Sequence, residues 1–173
     1  MLVDEYGFSF LEPLSTTWAP CGHTPVLRRV SKRRRVWSGF VGLTLSGRLL
    51  QRLFPESIKG KQVIEGLTYL RRQLGRTFIL VWDRSPVHRA KKVQRYLAAH
   101  PDIIQEWLPS YAPELNPEEY AHGYVKRRVK NCLSNNEDEM RHLLLTEFAR
   151  LRHRPDLLLS FFHHAGLTVK QLW

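Results

Sequence analysis

The chain has 173 residues, 43% of them hydrophobic and 25% charged, which suits one folded domain with a buried core and excludes a disordered chain. Lys and Arg number 27 against 16 Asp and Glu, a net charge of +11, and such a field attracts polyanions, nucleic acid first and an acidic membrane surface second. No apolar run approaches the ~20 residues that cross a bilayer, no secretory signal opens the chain, and Cys21 and Cys132 make no disulfide framework, so the expectation is a cytoplasmic protein without a membrane partner.

Leu2–Leu11 mixes apolar and aromatic residues with Asp4 and Glu5 and reads as a strand. Adjacent strand residues point to opposite faces, so at most one of these two acids faces a given cleft. Pro13, Pro20, Gly22 and Pro25 make a loop of the next stretch, and Lys32–Arg35 is a cationic run within it. Cys21-Gly-His23 resembles half of a metal site, but the other two ligands of a structural zinc are missing. Val36–Ser46 and Arg48–Phe54 read as strands joined at Gly47, giving three antiparallel strands.

The period then changes. Val63, Leu67, Leu70 and Leu74 recur at helical spacing within Ile58–Leu74, and Thr77–Trp82 is a short apolar run suited to a strand buried on both faces. Asp83 ends that strand, Ser85-Pro86 opens a helix over Val87–Ala99, and Ile103–Leu108 is the next strand. Asn116-Pro117 starts a helix reaching about Cys132; helices over Glu137–Arg152 and Pro155–Ala165 close the chain. The order βββ-α-β-α-β-α with terminal helices is that of an α/β domain, a mixed sheet covered by helices.

Functional groups in such sheets collect at the carboxyl ends of strands, where Asp83 stands. Leu108-Pro-Ser-Tyr-Ala-Pro-Glu-Leu-Asn-Pro-Glu-Glu119 is a proline-stiffened loop that delivers Glu118 and Glu119 to a helix start. Asn116 is a good N-cap, Pro117 suits the first helical position, and Glu119 at N3 completes a near capping box, a role that needs no catalysis. Glu118 points about 100° away from Glu119 around the helix and is the weaker ligand candidate. Acids on separate elements of so basic a chain suit hard divalent cations, which bind carboxylates together with substrate phosphate oxygens. Two ions about 3.5–4 Å apart can drive an in-line displacement at phosphorus.

His88, on the expected opening turn of the helix after Asp83, can contact the metal site or a phosphate, and a solvated histidine is an equal reading. His122, Gly123 and Lys126 share a helical face with Glu119. Lys126, Arg127, Arg128 and Lys130, then Arg89, Lys91, Lys92 and Arg95, then Arg33 and Arg34 with their neighbours, place cationic runs around the cleft, in position to bind DNA phosphates. Trp18, Trp37 and Tyr111 could stack on bases, with core packing the better reading for Trp37.

Val3-Asp4-Glu5, Trp18-Ala-Pro-x-Gly22, Leu80-Val-Trp-Asp83 with Pro86-Val-His88, Leu108-Pro-Ser-Tyr-Ala-Pro-Glu-Leu-Asn-Pro-x-Glu119 and Phe161-Phe-x-x-Ala-Gly-Leu167 occur in order along the chain. Together they resemble the DDE transposases of bacterial insertion sequences related to the mariner superfamily. The resemblance implies a ribonuclease H-like fold, three antiparallel strands followed by two parallel ones. It implies Asp4, Asp83 and Glu119 as the catalytic, metal-binding triad, with two Mg²⁺ or Mn²⁺ ions. The implied reaction hydrolyses DNA at element ends and joins the freed 3′-hydroxyl to target DNA, commonly at a TA dinucleotide, with a homodimer as the possible assembly.

The family often carries Asn where this chain has Arg84, and Trp where it has His122, so the surroundings of the triad differ. The helix-turn-helix region of full-length relatives is expected to be absent, leaving one catalytic domain over residues 1–173 and an N-terminal half supplied separately. The alternatives are a truncated, inactive DNA-binding remnant and another ribonuclease H-like nuclease.

Overall fold

The computed structural model describes residues 1–9, 16–26, 36–110, 112–130, 132, 134 and 136–167. Strands β1 (Leu2–Ser9), β2 (Val36–Leu43) and β3 (Leu49–Phe54) precede α1 (Gly60–Leu74), β4 (Phe78–Trp82), α2 (Lys91–Ala98) and β5 (Ile103–Trp107). A short 3₁₀ turn at Pro113–Leu115 leads into α3 (Pro117–Val129), followed by α4 (Glu137–Arg152) and α5 (Pro155–His164). The sheet order is β3-β2-β1-β4-β5. β1–β2 and β2–β3 are antiparallel, while β4 runs parallel to β1 and β5 parallel to β4. This is the expected mixed sheet, with β1 at its centre.

The alternation of β1 divides the core. Leu2, Tyr6 and Phe8 pack on one face with residues of α3, α4 and α5, including Val125, Phe148 and Phe162. Val3 packs on the other with Phe40, Leu67 and Leu70 of α1 and Val93 and Leu97 of α2. The helical period of α1 therefore has its physical cause in Val63, Leu67 and Leu70, all fully buried. Its first turn is closed by Gln62, whose Oε1 accepts Lys59 N–H at 3.1 Å, and its end by Gly75 at φ 62°, where a side chain would be strained. Among the described residues no helix is long and apolar enough to cross a membrane.

Several boundaries differ from expectation. α2 begins at Lys91, not Val87, because residues 86–89 form turns in which the His88 and Arg89 N–H groups both donate to Ser85 O. β2 stops at Leu43, since Thr44 turns the chain: its carbonyl receives Gly47 N–H and its Oγ1 receives Arg48 N–H. β4 is not buried on both faces. Ile79 is 50% exposed and its β5 neighbour Ile104 is 46% exposed, because α3 packs over β1 and β2 and leaves this end of the sheet uncovered. The cationic run with Arg33 and Arg34, and Tyr111, lie outside the described residues.

Candidate active site

Three elements converge at the centre of the sheet. Leu2 of β1 pairs with Val81 of β4 in parallel. Two residues onward, Asp4 within β1 and Asp83 one residue past the end of β4 stand at the same level. The start of α3 completes the group: ligand atoms of Asp4, Glu119 and His122 all lie within 4.8 Å of one another. Asp83 falls outside that tight trio, yet its charge reaches Asp4.

Asp4 is fastened on both oxygens. Glu5 N–H donates to Oδ1 at 2.8 Å, and Asn116 Nδ2 donates to Oδ2 at 3.1 Å. Asn116 also caps α3, its Oδ1 accepting Glu118 N–H at 3.2 Å. One side chain thus couples the helix start to the central strand. The cap bond goes to Glu118 N–H, so the expected box through Glu119 is not what closes this terminus, and Glu119 is exposed. Burial, then the Glu5, Glu119 and Asp83 carboxylates, push the Asp4 carboxyl up to about 7, against the opposing Glu5 N–H bond.

Below Asp4 sits a buried polar pocket. His122, 3% exposed, places Nδ1 4.0 Å from Asp4 Oδ2 and Nε2 4.0 Å from Glu118 Oε2. The ring is braced by Tyr6, with ring centroids 4.5 Å apart. Burial, with Lys126 adding, pushes the imidazole down to about 3, so it is neutral. Glu118 is fully buried and neither of its oxygens has a hydrogen-bond partner among the described residues. Burial first and Asp4 second hold its carboxyl well above the usual range.

On the opposite face, Glu5 meets His88. The His88 Nε2 lies 2.8 and 2.9 Å from the two Glu5 oxygens, and Nδ1 lies 2.8 Å from Asp83 Oδ1 and 3.0 Å from Asp83 O. Burial disfavours the charged ring, but the Glu5 bond and the Glu5 and Asp83 charges outweigh it and raise its pKa. A doubly protonated imidazole donates to both acids at once. The ring stacks on Trp82 at 4.0 Å and 11°, which fixes its plane. Ser85 N–H holds the same Asp83 Oδ1 at 2.9 Å.

Of the expected cations, Arg84, Arg127 and Lys130 are exposed and Lys126 is half-buried beside His122. Arg128 is spent elsewhere: its Nε donates to Glu147 at 2.7 Å and its guanidinium lies over Tyr124. Trp37 is core, whereas Trp18 is fully exposed. Sequence reasoning missed the Glu5–His88 link and the burial of Glu118. Strand alternation signalled that Glu5 faces away from Asp4, and nothing local signalled its partner.

The donor set fits a hard divalent cation. Carboxylate oxygens from Asp4 and Glu119 are adjacent, Asp83 is near, and the mutual repulsion that lifts Asp4 is what a bound cation relieves.

A mixed sheet of this order with helices on both faces, one acid on its central strand and another just past the neighbouring parallel strand, is that of a ribonuclease H-like domain. A family model described as DDE superfamily endonuclease matches residues 1–141, and the chain belongs to that family. It is similar to the Transposable element Tcb2 transposase of Caenorhabditis briggsae, 29% identical over 111 residues, which are 60% of this chain and 38% of that protein. The Transposable element Tcb1 transposase of the same organism is 24% identical over 131 residues, 73% of this chain and 47% of that protein. The matches thus span less than half the length of either relative. Among solved structures, the Mos1 transposase paired-end complex with left transposon end superposes with a TM-score of 0.64 at 17% identity, over 98% of this chain and 56% of that one. The catalytic domain of Mos1 mariner transposase gives 0.57 at 17% identity, over 98% and 84%. These likenesses establish the fold.

Proposed function

We propose that the chain is the catalytic part of a DNA transposase, with Asp4, Asp83 and Glu119 as its metal-binding triad. What supports this reading is that Asp4 of β1 and Glu119 of α3 have ligand atoms close together, with Asp83, just past β4, near enough for its charge to bear on Asp4, in a DDE-family chain. Two divalent ions, Mg²⁺ or Mn²⁺, would supply activation of the attacking water or 3′-hydroxyl and stabilisation of the leaving oxygen in an in-line displacement.

The chain's own residues orient that chemistry. Asn116 and Glu5 N–H aim the Asp4 carboxylate, and His88 with Ser85 N–H aims Asp83. Arg84, Lys126, Arg127 and Lys130, with Arg33 and Arg34, bind backbone phosphates. The partners on this reading are element ends and target DNA, engaged by a homodimer, with the ends read by an N-terminal half supplied separately. In a bacterial cell such a protein works in the cytoplasm, on the nucleoid. That both curated relatives are transposases supports strand transfer over plain nuclease action.

The test is Mn²⁺-dependent cleavage of labelled DNA by Asp83→Asn and Glu119→Gln. Both variants are expected to bind DNA normally and to lose cleavage; retention of cleavage by either removes the triad assignment. Joined product on a TA-containing plasmid separates a transposase from a nuclease, and an unmutated chain that binds DNA but no divalent metal is an inactive remnant.

A further inference from the structure

Beyond the acids, the His122 ring brings a nitrogen donor close to Asp4 and Glu119. We propose that His122 Nδ1 is a further ligand of the metal position between Asp4 and Glu119, held in place by Glu118, and that it gives this site a preference for Mn²⁺ over Mg²⁺. The proposal rests on the triad reading above and deepens it.

Three observations converge. Asp4, Glu119 and His122 are the group among the described residues whose ligand atoms gather closely enough to share one ion. Metal–donor bonds of about 2.0–2.2 Å bring neighbouring donors to roughly 3 Å, so side-chain rotation of one to two ångströms suffices to close a trio now within 4.8 Å. The second observation lies behind the ring. His122 Nε2 and both Glu118 oxygens are buried without partners among the described residues, and they face each other at 4.0 Å. Unpaired buried polar groups are costly, and this pair satisfies itself once the ring settles with Nε2–H toward Glu118. That tautomer leaves the Nδ1 lone pair toward Asp4. A ligating histidine whose other N–H is held by a carboxyl group is the usual way such a ring is fixed. The third observation is the bracing of the ring by Tyr6, itself packed on Phe148 at 5.2 Å.

The metal consequence follows from donor chemistry. Mg²⁺ takes oxygen donors, while imidazole suits first-row transition ions. A site with one nitrogen donor therefore favours Mn²⁺ over Mg²⁺ relative to an all-oxygen site.

Electron spin echo spectroscopy of the 173-residue chain loaded with Mn²⁺ tests this directly, with Mn²⁺ and Mg²⁺ affinities measured by calorimetry. The expected result is a ¹⁴N coupling on bound Mn²⁺ that disappears in His122→Phe, with Mn²⁺ affinity falling about 10–100-fold and Mg²⁺ affinity changing less. Glu118→Gln is expected to keep the coupling and weaken Mn²⁺ binding by a smaller factor. Mn²⁺ that binds and is lost on Glu119→Gln, but shows no ¹⁴N coupling, overturns the His122 proposal and leaves the triad standing. Mn²⁺ binding that survives both Asp4→Asn and Glu119→Gln, or no binding at all, overturns both. Circular dichroism checks that each variant is folded, and His122→Gln replaces the Phe variant if that one is not.

Discussion

His88 Nε2 lies 2.8 and 2.9 Å from the carboxylate oxygens of Glu5, and through its Nδ1 the same ring reaches Asp83. β1 and the end of β4 are thus tied by a side chain as well as by their ladder. Glu5 shares no face with Asp4, yet by fixing His88 it fixes the second acid of the site.

Replacing His88 with Ala leaves Glu5, whose side chain is 16% exposed, without its partner. We expect a loss of about 2–4 kcal/mol of stability and a fall in Mn²⁺ affinity of about tenfold or more. Urea unfolding and calorimetry read the two effects. His88→Gln, which keeps a donor, is expected to recover part of each; no difference between Ala and Gln would show that the ring acts by packing alone.

Asp4 makes the metal-free chain sensitive to pH in a defined direction. Its folded value of about 7 exceeds the ordinary 3.8, so across that window the native state holds a proton that the unfolded chain has released. Stability therefore falls as pH rises from about 4 to about 7, by up to a few kcal/mol. His88, raised above 6.5, acts in the same sense: its contribution is present below 6.5 and is lost as pH climbs through the folded value. A divalent cation binds the ionised carboxylates, so Mg²⁺ or Mn²⁺ should raise Tm more at about pH 8 than at about pH 5. Thermal melts with and without metal at the two pH values check the sign.

Gly66 lies on the buried face of α1, where an added Cβ would come 2.4 Å from Phe40 Cδ1. Alanine in a helix interior ordinarily gains about 1 kcal/mol over glycine. Here Phe40 is fully buried and cannot swing aside, so overpacking of about 1–3 kcal/mol more than offsets that gain. Gly66→Ala is expected to lower the urea midpoint without changing the transition's slope.

Basic residues on α3 divide into two kinds. Arg127→Ala and Lys130→Ala, both at exposed positions, should each reduce the slope of log K against log salt for DNA binding by about 1. Arg128→Ala should leave that slope unchanged and instead lower stability by about 1–3 kcal/mol, because it removes one of the two guanidinium partners of the buried Glu147, leaving Arg150 as the other. Filter binding across a salt series, beside urea unfolding, separates the two.

Much of this was legible before any coordinates. The apolar and aromatic residues around Asp4, the apolar run ending at Asp83 and the Asn116-Pro117 start of α3 are local signals, and each element formed close to its expected place. The boundary of α2 was not legible: proline and serine after Asp83 announce a helix start, but His88 is drawn into the site and the turns at residues 86–89 delay the helix to Lys91. The apolar run of β4 likewise suggested cover on both sides, and whether a helix lies over Ile79 depends on where α3 docks.

Residue identity by itself therefore determined the elements, the net basic charge and the acids they carry, because period, capping and charge act within a few residues. Packing across the sheet decided that Asn116 should hold Asp4, that Glu5 should hold His88, and that Glu118 should be buried against His122. The first two pairings join positions far apart in the chain, while Glu118 and His122 stand one helical turn apart and are buried together by the docking of α3. Their geometry is set by strand register and by the angle at which α3 meets β1, neither of which any short stretch of sequence encodes.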